Sequence, residues 1–379
     1  MPLRASGTRM PSTSLLAAPQ RWHKSCSCTE FTLHQLSPYI GKIKSVIAKD
    51  LIEKYTSPGD LVVDPFAGAG TIPYEAAIIG RRVLAADISP YARVLSLAKL
   101  RPPASLESAL KKAQRILARA GAACTSDTEA PPLWVRQFFH PRTLTEALAF
   151  SAIARTPGNE FFMACLLGIL HHQRPGFLSY PSSHLVPYLR DRKYPRRLYP
   201  ELYTYRELGP RLLAKIGRAF RRYVIPDSHV ITFRHSAIEK LQFPPVVDAV
   251  ITSPPYMNAL DYGRDNRLRL WFIDPELARH RPHDRTRSLA AFVSAITALA
   301  TKVEKSLRVK GHCVLIVGDH FSRSFDAWPS QTVIELMRRH APSLKLLTVL
   351  ADIIPDVRRT RRECSAVKTE HFLIFRRQR

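Results

Sequence analysis

Short apolar runs closed by turn residues alternate with helix-spaced apolar positions along most of the chain, with one long interruption. The spacing of Ile43, Val46, Ile47, Leu51 and Ile52 predicts a helix within Leu36–Tyr55. A turn at Ser57-Pro58-Gly59 leads into an apolar strand over Asp60–Phe66. Ala-Gly-Ala-Gly-Thr breaks that strand, Ile72–Ile79 reads as a helix ended by Gly80, and Arg81–Ile88 is the next strand. Strand, glycine turn, helix and strand make a βαβ unit, which requires a parallel sheet.

From Pro102 to about Pro226 the strand pattern disappears. Helices are predicted over Ser105–Ala120, Leu144–Ala154 and Phe161–His171, then a stretch rich in proline, tyrosine and arginine, then a basic helix over Leu212–Tyr223. Strands return at Ser228–Phe233 and Val246–Thr252. An amphipathic helix over Ala290–Leu307, a strand over His312–Asp319, a helix over Ser330–His340 and closing strands over Leu344–Leu350 and Glu370–Arg377 complete the pattern. This ending is less regular than a pure doubly wound fold and points to one antiparallel edge strand. Four stretches result: a basic leader over 1–30, expected to be disordered; a first half over 31–101; an insertion over 102–226; and a second half over 227–379.

Composition narrows the function classes. The chain of 379 residues is 45% hydrophobic, enough for a sizeable core, yet has no apolar run that could cross a bilayer. Its 57 Lys+Arg against 31 Asp+Glu give a net charge of +26, which implies a polyanionic partner, most simply nucleic acid. Of six cysteines only Cys26 and Cys28 are close together, and one intervening residue is not metal-site spacing. No metal is expected, and the cysteines read as reduced thiols of a cytoplasmic protein. The first acidic residue is Glu30; before it, Arg4, Arg9, Arg21 and Lys24 lie among serines and small residues. That leader reads as disordered or as an over-long start with Met10 as an alternative initiator, with a targeting segment as the rival reading.

Two stretches carry chemistry. Asp64-Pro65-Phe66-Ala67-Gly68-Ala69-Gly70-Thr71 closes the first sheet strand and opens a helix, where open α/β sheets bind ligands. Gly68 and Gly70 let a ligand approach the backbone. The spacing is not that of a pyrophosphate-binding loop, and the Asp64 carboxylate suits an ammonium or hydroxyl group better than a phosphate. Asp87 and Ile88 end the next strand, where a carboxylate can accept both hydroxyls of a ribose. The second stretch is Ser253-Pro254-Pro255-Tyr256, which stops the strand before it. Each proline removes an N–H and fixes φ, leaving a stiff turn with outward acceptors and an aromatic ring beside them.

Together these segments resemble the S-adenosylmethionine-dependent amino-methyltransferases, nearest the branch that methylates exocyclic amines of DNA bases. The resemblance covers roughly Phe31–Arg101 and His229–Phe272 well and the closing strands loosely. It implies a class I, Rossmann-like methyltransferase sheet carrying the largely helical insertion between its second and third strands. It implies S-adenosyl-L-methionine as cofactor, held by Asp64, Pro65, Phe66, Ala67, Gly68, Gly70, Thr71, Asp87 and Ile88. Where the family often has an acidic residue near the adenine, this chain has Ser236 beside His235; one of these takes that place, or the adenine is held by apolar contacts alone. Ser253 and the Pro254 carbonyl are then the acceptors that grip the amine, Pro255 stiffens the turn, and Tyr256 offers a face to an extruded base. Serine at 253 goes mostly with cytosine N4 in this family. The insertion is the expected target-recognition region, with Tyr180, Arg190, Arg192, Lys193, Arg196 and Arg197 set against nucleic acid, joined by Arg264, Arg267 and Arg269 after the catalytic turn; the alternative is a proline-rich segment wrapped on the core, its tyrosines packing and its arginines solvated. Rival readings are an RNA methyltransferase acting on guanine N2 or adenine N6, and a nucleic-acid-binding protein on an inactive scaffold. A cognate restriction endonuclease, the recognition sequence and the oligomeric state are left open.

Overall fold

A computed structural model describes residues 15–24, 29–122, 131–171, 177–180, 194–256, 263, 266–276, 288–319, 328–353 and 369–378. Strand β1 (Leu15–Ala17) and helix α1 (Gln20–Lys24) come first, then α2 (Ser45–Tyr55), β2 (Leu61–Asp64), α3 (Thr71–Ile78), β3 (Arg82–Asp87) and α4 (Pro90–Leu100). The insertion contributes α5 (Leu106–Ala122), α6 (Leu133–Arg136), α7 (Pro141–Ala154), α8 (Glu160–Leu170) and α9 (Leu208–Ala219). The second half supplies β4 (Ile231–His235), β5 (Val247–Thr252), α10 (Arg267–Ile273), α11 (Leu289–Ser306), β6 (Leu307–Asp319), α12 (Pro329–His340), β7 (Leu344–Ile353) and β8 (Thr369–Arg377).

The eight strands form one sheet in the order β1-β7-β8-β6-β5-β2-β3-β4. Every neighbouring pair is parallel except those made by β8, which runs antiparallel to both β6 and β7. The reversed strand expected at an edge is therefore interior: β8 returns from β7 into the slot beside β6, so its ladder is satisfied on both sides. Alternation along the strands sorts side chains to two cores. Val62, Val83, Ala85, Ala249 and Ile251 face α2, α3, α4 and the insertion helices. Val63, Leu84, Val250, Cys313 and Leu315 lie on the other side of the sheet, in a second core completed by residues of α11 and α12.

Three further corrections follow. Residues 15–24 of the leader are ordered. Strand β1 pairs with β7, and Trp22 is 2% exposed with its ring 4.8 Å from Phe372. An unpaired sheet edge and an apolar slot outweigh the basic, serine-rich composition of that stretch. The helix α4, absent from the sequence-based reading, is started by Ser89, whose side chain accepts from the Ala92 N–H, and by Pro90 in its first turn. Helix α9 begins at Leu208 and ends at Ala219, earlier than expected, because Pro210 sits in its first turn, where proline is tolerated, and Leu208, Leu212 and Ile216 form its buried stripe.

Candidate active site

The parallel pairing of β2 with β5 and β3 sets the glycine loop, the Asp87 strand end and the Ser-Pro-Pro-Tyr turn side by side at the carboxyl ends of the strands. The loop folds back tightly. Gly70 N–H donates to the Ala67 carbonyl at 2.7 Å and Ala67 N–H to the Ala86 carbonyl at 2.9 Å. Gly70 has φ +73°, and a Cβ there would stand 2.7 Å from the Ser96 Cα. Glycine is thus required twice over, by conformation and by the closeness of α4. The same helix fastens the loop from beneath: Ser96 Oγ donates to the Gly68 carbonyl at 3.1 Å, and buried Lys99 Nζ to the Ala69 carbonyl.

Asp87 accepts from Gly68 N–H through Oδ2 and from Ser89 N–H through Oδ1, each at 2.8 Å. Each carboxylate oxygen keeps a second lone pair for a ligand hydroxyl. Enclosure pushes its pKa up, opposed by those N–H groups. Ile88, beside it, is 58% exposed and presents an apolar side chain at the strand end. Ser236 N–H donates to the Asp87 carbonyl at 3.1 Å, and His235 Nε2 lies 2.9 Å from the Ile88 carbonyl, so the residues offered for the adenine side do border that strand end.

Asp64 is buried. Its Oδ1 accepts from Thr252 Oγ at 2.6 Å and from Phe66 N–H at 3.3 Å. Burial raises its pKa from 3.8 to about 7, with the Thr252 and Phe66 bonds pulling down and Asp87 pushing up. Thr252, the residue before the Ser-Pro-Pro-Tyr turn, therefore ties that turn to the glycine loop. Ser253 Oγ donates to the Ile316 carbonyl at 3.2 Å, which leaves its lone pairs to accept. Tyr256 is 7% exposed; its hydroxyl donates to Glu370 Oε1 at 2.6 Å and its ring packs on Gly318.

Below the loop, His34 Nε2 meets Glu75 Oε1 at 2.7 Å. Burial is the largest cause for both groups: it holds His34 well below its usual pKa and raises Glu75 to about 7. The hydroxyl of Thr71 is buried without a partner among the described residues. Two carboxylates with raised pKa, a glycine loop fastened onto α4 and an unused hydroxyl fit a cationic amino-acid and nucleoside ligand such as S-adenosylmethionine. No group of three or more metal-ligating side chains occurs among the described residues.

The residues expected to contact nucleic acid divide. Arg196 and Arg197 are exposed, and Arg196 lies 4.7 Å from the Tyr203 ring. Arg267 is exposed and sits 4.2 Å above the Trp134 ring. Tyr180 is only 3% exposed and is covered by Tyr203 and Arg196, so its ring is packing, a correction to its expected role. Arg269 is also corrected: it is buried and donates to the Leu167 and His171 carbonyls. Arg190, Arg192, Lys193 and Arg264 lie outside the described residues. The sequence did not single out Thr252, Ser96, Lys99 or Glu370; Glu370 is 114 residues from Tyr256, and only the pairing of β8 with β6 brings them together.

An open α/β sheet in the order β1-β7-β8-β6-β5-β2-β3-β4 with β8 reversed, an insertion after α4 and the glycine loop at the strand ends is the Rossmann-like fold of the class I methyltransferase type. Residues 44–96 match a family model described as DNA methylase. A stretch of 68 residues is 29% identical to the Type II methyltransferase M.MjaII of Methanocaldococcus jannaschii, covering 18% of this chain and 13% of that protein. The family match spans α2, the glycine loop and Asp87, and this chain spans only 13% of the length of the curated relative. TrmN of Thermus thermophilus is similar in structure at 13% identity and a TM-score of 0.33, covering 92% of this chain and 52% of that one. The rRNA methyltransferase aviRa of Streptomyces viridochromogenes is similar at 12% identity and a TM-score of 0.33, covering 93% and 90%. Likeness at this level decides neither substrate nor mechanism.

Proposed function

We propose that the chain transfers a methyl group from S-adenosylmethionine to the exocyclic amine of a nucleic-acid base, and that the base is cytosine, methylated at N4, in DNA. The observation that carries the reading is the Thr252–Asp64 hydrogen bond, 2.6 Å long, which locks the Ser-Pro-Pro-Tyr turn to the glycine loop. When bound, the cofactor supplies a methyl group already activated as a sulfonium. The protein's task is then to orient the nucleophile. A ring-conjugated amine attacks poorly because its lone pair is delocalised. Ser253 Oγ and the Pro254 carbonyl accept its two N–H bonds and turn the lone pair toward the methyl group; the prolines hold both acceptors without reorganisation. Tyr256 bounds the target base, its ring fixed by Glu370 and Gly318. Serine at 253, by the family resemblance, favours cytosine N4.

The test is transfer of labelled methyl from S-adenosylmethionine to duplex DNA, single-stranded DNA and total RNA, with products identified as nucleosides by mass. N4-methylcytosine from DNA, lost in Ser253→Ala and Tyr256→Ala while cofactor binding persists, is the expected result. Label confined to RNA would move the substrate while keeping the site. A protein that binds no cofactor would overturn the enzyme reading altogether.

A further inference from the structure

A parallel sheet is normally covered by helices on both faces. Here the connection from β4 to β5, residues 236–246, has to pass β3 and β2 to reach its place in the sheet. That crossing is three strand spacings, about 14 Å, and the connection makes it with turns and no helix. The face of β3 and β4 under it is left as a groove of about 600 Å³. Register pairs Leu84 with Thr232 and Ala86 with Arg234, so Arg82, Leu84, Thr232 and Arg234 share the groove side. Leu84 and Leu241 form an apolar floor, and Arg234, Lys240 and Gln242 stand exposed on its rim. Arg82 is anchored at the rim, its guanidinium donating to the Gly59 carbonyl at 3.0 Å and lying 3.9 Å from Asp248.

The lining contains arginines, a lysine and two histidines, and no carboxylate. A lining of this charge favours an anionic partner over a cationic one. Thr232 and Gln242 add uncharged donors of the kind that reach phosphate and sugar oxygens. The groove runs the length of β4, about 17 Å, and ends at Ser236, which borders the Asp87 strand end of the proposed active site. We propose that this groove carries the sugar–phosphate backbone of the nucleic-acid substrate past the edge of the sheet, outside the motifs that bind cofactor and target base. The inference rests on the nucleic-acid substrate proposed above.

The test is the double variant Arg234→Gln/Lys240→Gln, both positions being exposed, against the wild-type protein. Affinity for single-stranded and duplex DNA and for RNA is measured across a salt series, with cofactor binding as the control for folding. Loss of two phosphate contacts should weaken binding on the order of tenfold and make the slope of log affinity against log salt shallower by about one to two. Equal affinity and equal slope in the double variant, with wild-type binding intact, would overturn the groove alone. Wild-type protein that binds neither DNA nor RNA would overturn the groove together with the nucleic-acid reading. Polyglutamate that displaces nucleic acid from the wild type but not from the double variant, at equal charge concentration, would reassign the groove to an acidic protein.

Discussion

Asp64 binds its proton at about 7 instead of 3.8, because burial penalises its charged form. The folded state therefore holds a proton that the unfolded chain has released between those values. Stability from this group is complete below about pH 4 and is lost as pH rises through about 7. A cationic cofactor reverses the preference, since a sulfonium or ammonium nearby favours the carboxylate. Affinity for S-adenosylmethionine should therefore increase as pH rises toward neutrality, with proton release on binding that fades above about pH 8. Calorimetry in buffers of different ionisation enthalpy measures that release. Asp87, also raised, acts with the same sign. The variant Asp64→Asn keeps an acceptor for Thr252 and removes the titrating group, so it should flatten the pH dependence; an undiminished slope would assign the proton elsewhere.

At the scale of elements, the candidate site is the meeting of β2, β3, β5, β6 and β8, and β6 fits closely against the Ser-Pro-Pro-Tyr turn. A Cβ at Gly318 would come within 2.7 Å of the Tyr256 ring. Gly318→Ala should displace that ring, cutting methyl transfer by about tenfold or more while leaving cofactor affinity within about twofold, because the glycine loop hangs from β2 and α4 instead. Single-turnover rates beside equilibrium cofactor binding read the two apart; a parallel loss of both would mean that the turn and the loop move as one. The same geometry explains what could be read in advance. Asp64 to Thr71, Asp87 and Ser253 to Tyr256 are local motifs, and glycine, proline and a strand-ending carboxylate announce themselves without a fold. Gly318 and Glu370 do not, because their neighbour is Tyr256 only through strand order. Tyr180 misled for the converse reason: tyrosine beside arginine suits a nucleic-acid surface and a packed cation–π cluster equally, and burial decides for the second. The irregular ending predicts one antiparallel strand at an edge; the reversed strand is β8, and its interior place depends on β7 pairing beyond it.

For the whole molecule, the sheet has to be closed at two edges, and the chain treats them differently. At the β4 edge a short crossover leaves a cationic groove, in keeping with a net charge of +26 and a polyanionic partner. At the other edge, the segment before α2 returns and seals β7. Strand β1 pairs with residues Val349–Ala351, His23 Nδ1 lies 3.2 Å from Asp352 Oδ1, and Arg21 Nε and the Trp22 indole N–H both reach Asp50 Oδ2 at 2.5 Å. Trp22 is the anchor, with its ring on Phe372 of β8 and its edge on α2. Truncating it removes a fully buried aromatic and leaves a cavity, so Trp22→Ala should destabilise the fold by about 3–5 kcal/mol in denaturant unfolding. The order of the sheet sets β1 five strands from β2, about 24 Å away. Cofactor affinity measured on the fraction that remains folded should therefore be unchanged. A variant of wild-type stability would mean that the edge is closed by something other than this segment, and the leader would revert to the disordered tail its composition describes.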